Sequence, residues 1–285
     1  MAAVLMWTNL VALKPSFSRT PMLSEPICLR VKGPFACFTR PEFHVERVSH
    51  PVITPSAARG VLEAILMKPI EKPEAGKRGN KMGFRWHILR LGVMRKGVLT
   101  SILRNELGYD SHPAYGNVRG YDIMDERTQR HSLLLRDVEY LIEAILEVAQ
   151  VGRRPHRDGQ GRRPSEEFLA RNKYHQMFVR RAAAGQCFYQ PFLGCREFSA
   201  SEWELIGPAK AQPDASINDD FGVVFRDFDF GPVWNHWGHD AGKPRPADGW
   251  DQPGKRPDAL RPLHAKAEQG WIRVSEIRDG KVVAV

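Results

Sequence analysis

The sequence predicts an α+β protein built on an antiparallel sheet. Two observations carry this: the periodic segments run strand, helix, strands, helix, strands, and the turn residues sit between them. With 285 residues, 42% of them hydrophobic and 26% charged, the chain holds one large domain or two of ordinary size, and a disordered or fibrous class is excluded. No run of about 18 uncharged apolar residues exists and the mean hydropathy is −0.41, so no membrane-spanning helix is predicted.

Pro26 to Lys32 alternates apolar and polar residues and reads as the first strand. Thr54-Pro55 then opens a helix, with Thr54 as cap, Pro55 at the first helical position, and Ala57, Ala58, Val61, Leu62 and Ile65 recurring on one side. That helix ends before Pro69. A Gly-, Pro- and Lys-rich loop follows over 71–83, then a strand from Phe84 to about Met94 and another over Val138 to Val148. The arginine-rich stretch 152–164 cannot pack a core and reads as a loop. Ser165 caps a helix expected from Glu166 to about Ala184, with Gly185 as its stop. Short strands are expected over 221–230 and 271–285, with Asp279-Gly280 as a hairpin turn, around an insertion over 231–262. Residues 1–21 read as a disordered or mis-annotated extension, 22–200 as the main domain and 201–285 as a smaller β region.

The net charge is +9, and its placement is uneven. Residues 151–200 carry 10 basic and 4 acidic side chains, whereas 201–285 carry 11 and 14. A basic patch of this density favours a polyanionic partner, because binding releases counterions from a phosphate backbone. Cys28, Cys37, Cys187 and Cys195 form no Cys-x-x-Cys pair, so reduced thiols in a cytoplasmic protein are expected. His236, His239 and Asp240 have metal-ligand spacing but no further ligand set, and no Walker or dinucleotide loop is present. Neither a metal nor a small-molecule cofactor is expected.

Several ordered blocks together resemble one family, the Cas5 subunits of type I-C CRISPR Cascade complexes (d, or dvulg, subtype). They are Phe35 to Glu42 with Val45 to Ser49, Thr54 to Gly60, Arg104-Asn105-Glu106, Leu135 to Tyr140, Arg180-Arg181, Ala184 to Gln186, and Leu193 to Phe198. The resemblance implies a ferredoxin-like, RNA-recognition-type N-terminal domain of the RAMP superfamily and a smaller antiparallel β C-terminal region. It also implies the partners: CRISPR repeat RNA, the mature crRNA, and the Cascade backbone and large subunits.

The activity implied is cleavage of precursor crRNA without a metal, the ribose 2′-OH attacking the adjacent phosphate. The family's catalytic candidates are a Lys-His pair and an aromatic residue before a Lys-Pro. They fall on Lys173 and Tyr174, with His175 one position late, and on Leu66. On a regular helix His175 points about 200° around from Lys173, so the two share a site only if the helix begins later or is irregular there. His50, where the family commonly has Tyr, is a further candidate base. Arg40, Arg47, Arg59, Arg104, Arg180, Arg181 and Arg196 are the phosphate-contact candidates, since arginine holds a phosphate through paired hydrogen bonds. The alternatives are a structural subunit that binds the crRNA handle without cutting it, and a basic RNA-binding protein outside CRISPR.

Overall fold

The computed structural model describes residues 22–43, 45–67, 84–107, 127–148, 173–228 and 260–285. The expected extension 1–21, the basic loops 71–83 and 152–164, the helix start at 166–172, most of the insertion 231–262, and the His236/His239/Asp240 group lie outside them.

Strand β1 (Met22–Leu23) leads into β2 (Ile27–Ala36), which places Leu29 and Val31 on its inner face and Arg30 and Lys32 on the other. After the short β3 (Arg47–Val48), helix α1 (Pro55–Ile65) starts where its capping residues predict: the Thr54 hydroxyl accepts the Ala57 N–H at 3.2 Å. Its buried side chains Ala58, Val61, Leu62 and Ile65 form one stripe against the sheet. Strands β4 (Phe84–Arg95), β5 (Val98–Leu107) and β6 (Arg127–Val148) follow, and then helix α2 (Tyr174–Ala183), which buries Tyr174, Phe178 and Ala182 at four-residue spacing. Gly185, at φ +64°, ends α2 in a Schellman turn, with the Gln186 N–H donating to the Arg181 carbonyl at 2.8 Å. Strand β7 (Glu202–Ile206) closes the unit.

The hydrogen-bonded order β7-β2-β6-β4, all antiparallel, is the 4-1-3-2 order of a ferredoxin-like βαββαβ unit. Both helices contribute to one core with the inner sheet face, where Phe38, Val61, Ile65, Trp86, Tyr140, Ile142 and Phe178 meet. The unit runs to Ile206, past the expected boundary at 200, because β7 lies beyond it and pairs with β2 from Cys28↔Ile206 to Lys32↔Glu202.

Strand β6 serves two ladders. Its second half pairs with β2 and β4, and its first half with β3 and β5. Between them Asp137 sits at φ +58°, opposite Pro34, which has no N–H to give the ladder. Strand β5 was not anticipated, and among the described residues its outer edge has no partner.

Beyond β7 and a 3-10 turn at Pro208–Lys210, strands β8 (Asp220–Val224), β9 (Leu263–Glu268) and β10 (Trp271–Arg273) extend the same sheet from the free edge of β4. The C-terminal region is thus largely a continuation of the main sheet. Strand β9 was also not anticipated. Only β11 (Ser275–Arg278) and β12 (Lys281–Ala284) form a separate hairpin, turned by Asp279 and Gly280 at φ +50° and +71° as that dipeptide predicts. No helix among the described residues is long and apolar enough to cross a membrane.

Candidate nucleic-acid interface

Packing decides the roles open to the start of α2. Tyr174 is 9% exposed and its ring lies 5.0 Å from that of Phe84, so it is part of the core. Burial pushes its hydroxyl above the ordinary tyrosine range. Lys173, exposed, has helical angles (φ −66°, ψ −60°), and its Nζ lies 5.6 Å from the Tyr174 ring centroid. With Tyr174 turned inward, Lys173 and His175 flank it about 100° to either side. Helix geometry therefore does not by itself bring the two together. His175 is half-buried, and its Nε2 has no hydrogen-bond partner among the described residues. Burial lowers its pKa against the opposing charge of Glu25, which favours the neutral ring.

His50 lies in the interior, 3% exposed. Its N–H donates to the Phe38 carbonyl, and its Nε2 accepts the Phe225 N–H at 3.3 Å. Nε2 must then be unprotonated. Burial, then the charge of Arg40, lowers the pKa to about 4. Its remaining nitrogen, Nδ1, and the Nε of Arg40 are both buried without partners among the described residues.

The seven arginines divide by what they already hold. Arg59 spans Asp227, through two hydrogen bonds of 2.7 and 3.0 Å, and Glu63 at 2.8 Å, and so ties α1 to the segment after β8. Arg47 and Arg104 converge on Glu197, and Arg104 also binds Glu106 at 2.6 Å and Ser132 at 3.2 Å. Arg181 donates from Nε to the Ile65 carbonyl at 3.0 Å, satisfying the C-terminus of α1. Arg40 makes one loose pair with Glu42 at 3.7 Å. Arg180 and Arg196 are exposed and make no ion pair with a described residue.

Gly194 shapes the loop that carries Glu197. It sits at φ +89°, where a Cβ would fall 1.9 Å from the Cys37 carbonyl oxygen, so only glycine fits. This close approach sets Cys195 beside Cys37. Cys195 Sγ lies 3.6 Å from the Cys37 carbonyl oxygen, and the neighbouring Cys37 thiol, with Arg47 adding its charge against burial, draws the Cys195 thiol below the ordinary cysteine range.

Sequence reasoning missed two features. The sheet face away from the helices carries an ion-pair ladder, Arg30–Glu139, Arg90–Glu143 and Arg85–Glu147, with His87 on the same carboxylate at 2.6 Å. Its carboxylates recur every fourth residue along β6, a period that resembles a helix until β6 is known to be a strand. The other is an aromatic turn, Phe188 to Phe192, after α2. Its only local signal is aromatic residues in a segment otherwise built to turn.

The βαββαβ unit, with Arg180 and Arg196 exposed about its second helix and the loop that follows, makes this an α+β protein of the ferredoxin-like class. The family model described as CRISPR-associated protein (Cas_Cas5), of the Cas5d type, matches residues 27–275, and the chain belongs to that family. A protein of Thermus thermophilus named CRISPR pre-crRNA endoribonuclease Cas5d is 37% identical over 248 residues, covering 86% of this chain and 90% of its own. One of the same name from Mannheimia succiniciproducens is 35% identical over 222 residues, covering 73% and 87%. A functionally uncharacterized protein of Streptococcus mutans, 18% identical, superposes with a TM-score of 0.49 over 92% of this chain and 98% of its own.

Proposed function

We propose that this chain binds CRISPR repeat RNA, cuts precursor crRNA as an endoribonuclease, and then stays on the 5′ handle within a Cascade assembly in the cytoplasm. The observation that carries this reading is the 37% identity, over nine-tenths of its length, to a protein named for that activity. In the proposed reaction the 2′ oxygen bonds to the adjacent phosphorus and the P–O5′ bond breaks, leaving a 2′,3′-cyclic phosphate and a 5′-hydroxyl. His175, kept neutral by burial, takes the 2′ proton. Lys173, on a flexible stem at the same helix end, neutralises the charge that builds on the phosphorane and protonates the leaving oxygen. The RNA must lie across the end of α2 to meet side chains on both sides of Tyr174. Arg180 and Arg196, exposed and in no ion pair with a described residue, contact phosphates, and Arg40, whose pair with Glu42 is loose at 3.7 Å, joins them. The proposed protein partners are the Cascade backbone and large subunits.

A second reading, handle binding without cleavage, is favoured by one observation. Leu66 stands where the family places an aromatic residue, is 3% exposed, and has no proton to give. Incubation with cognate repeat RNA in EDTA separates the two. The nuclease reading expects cutting in EDTA, none when the sugar at the cut site is 2′-deoxy, and a loss of about 10²–10⁴-fold in rate in Lys173→Ala with RNA binding retained. Tight binding without cutting leaves the second reading.

A further inference from the structure

The turn after α2 presents aromatic surface that stands exposed among the described residues. Phe188 is 62% exposed, yet its backbone is fixed: the Phe188 and Tyr189 N–H groups both donate to the Ala64 carbonyl, at 2.8 and 3.2 Å. With Arg181 on the Ile65 carbonyl, this turn closes the C-terminal end of α1, so the ring projects from a braced position. Tyr189 backs it, with ring centroids 5.4 Å apart, and is itself nearly parallel to Phe192 at 22° and 6.3 Å. The Arg196 guanidinium stands 5.9 Å from the Tyr189 centroid, and Arg180 is exposed on the last turn of α2. The nearby carboxylate, Glu63, is already held by Arg59.

We propose that Phe188, backed by Tyr189 and with Arg196 beside that pair, is a base-stacking platform for a single-stranded segment of RNA. The chemistry favours this occupant. A flat ring exposed on a fixed backbone offers a π-face to any base, and cations beside it match the phosphates on either side of that base. An aliphatic protein surface has no use for those cations. The platform deepens the proposed function and rests on its RNA reading, adding a contact that recognises unpaired nucleotides irrespective of their sequence.

The test measures binding of a short oligoadenylate and of the cognate repeat RNA to the full chain and to Phe188→Ala, Phe188→Leu, Phe188→Trp and Arg196→Ala. Thermal unfolding should be unchanged in the three Phe188 variants, because the side chain is exposed. Oligoadenylate binding is expected to weaken about five- to a hundred-fold in Phe188→Ala and Phe188→Leu and to persist in Phe188→Trp. Arg196→Ala should flatten the dependence of log K on log salt by about 0.7. The platform is overturned if the wild-type chain does not bind oligoadenylate, if Phe188→Ala binds it as well as wild type, or if Phe188→Leu retains wild-type affinity, the mark of a plain apolar contact. Loss of oligoadenylate binding in Phe188→Ala, in a chain that ignores the repeat RNA, keeps the platform and removes the proposed function. Intact repeat binding and cutting with no effect of Phe188→Ala on either RNA does the reverse.

Discussion

His50 shows how a single side chain can be tied to the interior by its protonation state. Its Nε2 accepts the Phe225 N–H only when deprotonated, so the folded protein resists a proton that the unfolded chain accepts below 6.5. A base whose folded pKa is depressed contributes stability that is complete above the unfolded value and is lost as pH falls toward the folded one. The gap between 6.5 and about 4 corresponds to about 3 kcal/mol. Denaturant unfolding at pH 7 and pH 4.5 should show wild type losing about 2–3 kcal/mol more than His50→Gln over that interval; equal losses would mean that His50 is not held neutral. Cys195 makes the complementary prediction. Its thiol, drawn below the ordinary cysteine range by Cys37 and the charge of Arg47, should react with iodoacetamide at neutral pH faster than a cysteine in the unfolded chain, and Arg47→Ala should slow it. An unchanged rate in that variant would remove Arg47 from the account. None of these pairings was legible beforehand, because Arg47 and Glu197 lie 150 residues apart and Arg59 and Asp227 lie 168 apart. The chain segments that a site residue belongs to can be read locally, but the partner that occupies it cannot.

Among the elements, those whose signal is local were legible and those defined by a partner were not. Helix α1 begins at Thr54-Pro55 and the last hairpin turns at Asp279-Gly280, each dictated by residues in the turn itself. Thr54→Ala removes the cap on the Ala57 N–H and should cost about 1 kcal/mol in thermal or denaturant unfolding. Strand β9 alternates Leu263, Ala265 and Ala267 inward, but its Ala, Lys and Glu favour helix, and pairing with β8 and β10 overrides them. Strand β5 is a strand because β6 lies beside it along ten residues of register. The loop that carries Cys195 depends on one position. Gly194→Ala forces a Cβ into the Cys37 carbonyl from a left-handed backbone and should cost about 2–4 kcal/mol. It should also abolish the enhanced reactivity of Cys195; a variant as stable and as reactive as wild type would show that the loop tolerates displacement.

At the scale of the whole molecule, the sheet runs from β7 through β4 to β8, so the ferredoxin-like unit and most of the C-terminal region share one hydrogen-bonded framework. Tryptophan fluorescence, to which Trp86 and Trp203 in the first part and Trp271 in the second contribute among the chain's seven tryptophans, and far-UV circular dichroism should therefore record one coincident thermal transition. Two separated transitions would mean that the parts unfold independently. The α+β class was legible because the order of periodic segments survives small errors in their ends. The continuity of the sheet was not, since nothing local marks β10 as the neighbour of β4, which it meets at Trp271↔Gly92. Strand β2 carries this continuity into the time domain. Its apolar side chains leave the ribosome about a hundred residues before β6, and the last neighbour, β7, comes later still. At roughly 5–20 residues per second this leaves β2 unpaired for on the order of ten seconds. During translation, then, β2 is the strand most in need of a chaperone, and slower decoding of the segment between β2 and β6 would lengthen its exposure without altering a single contact in the finished protein.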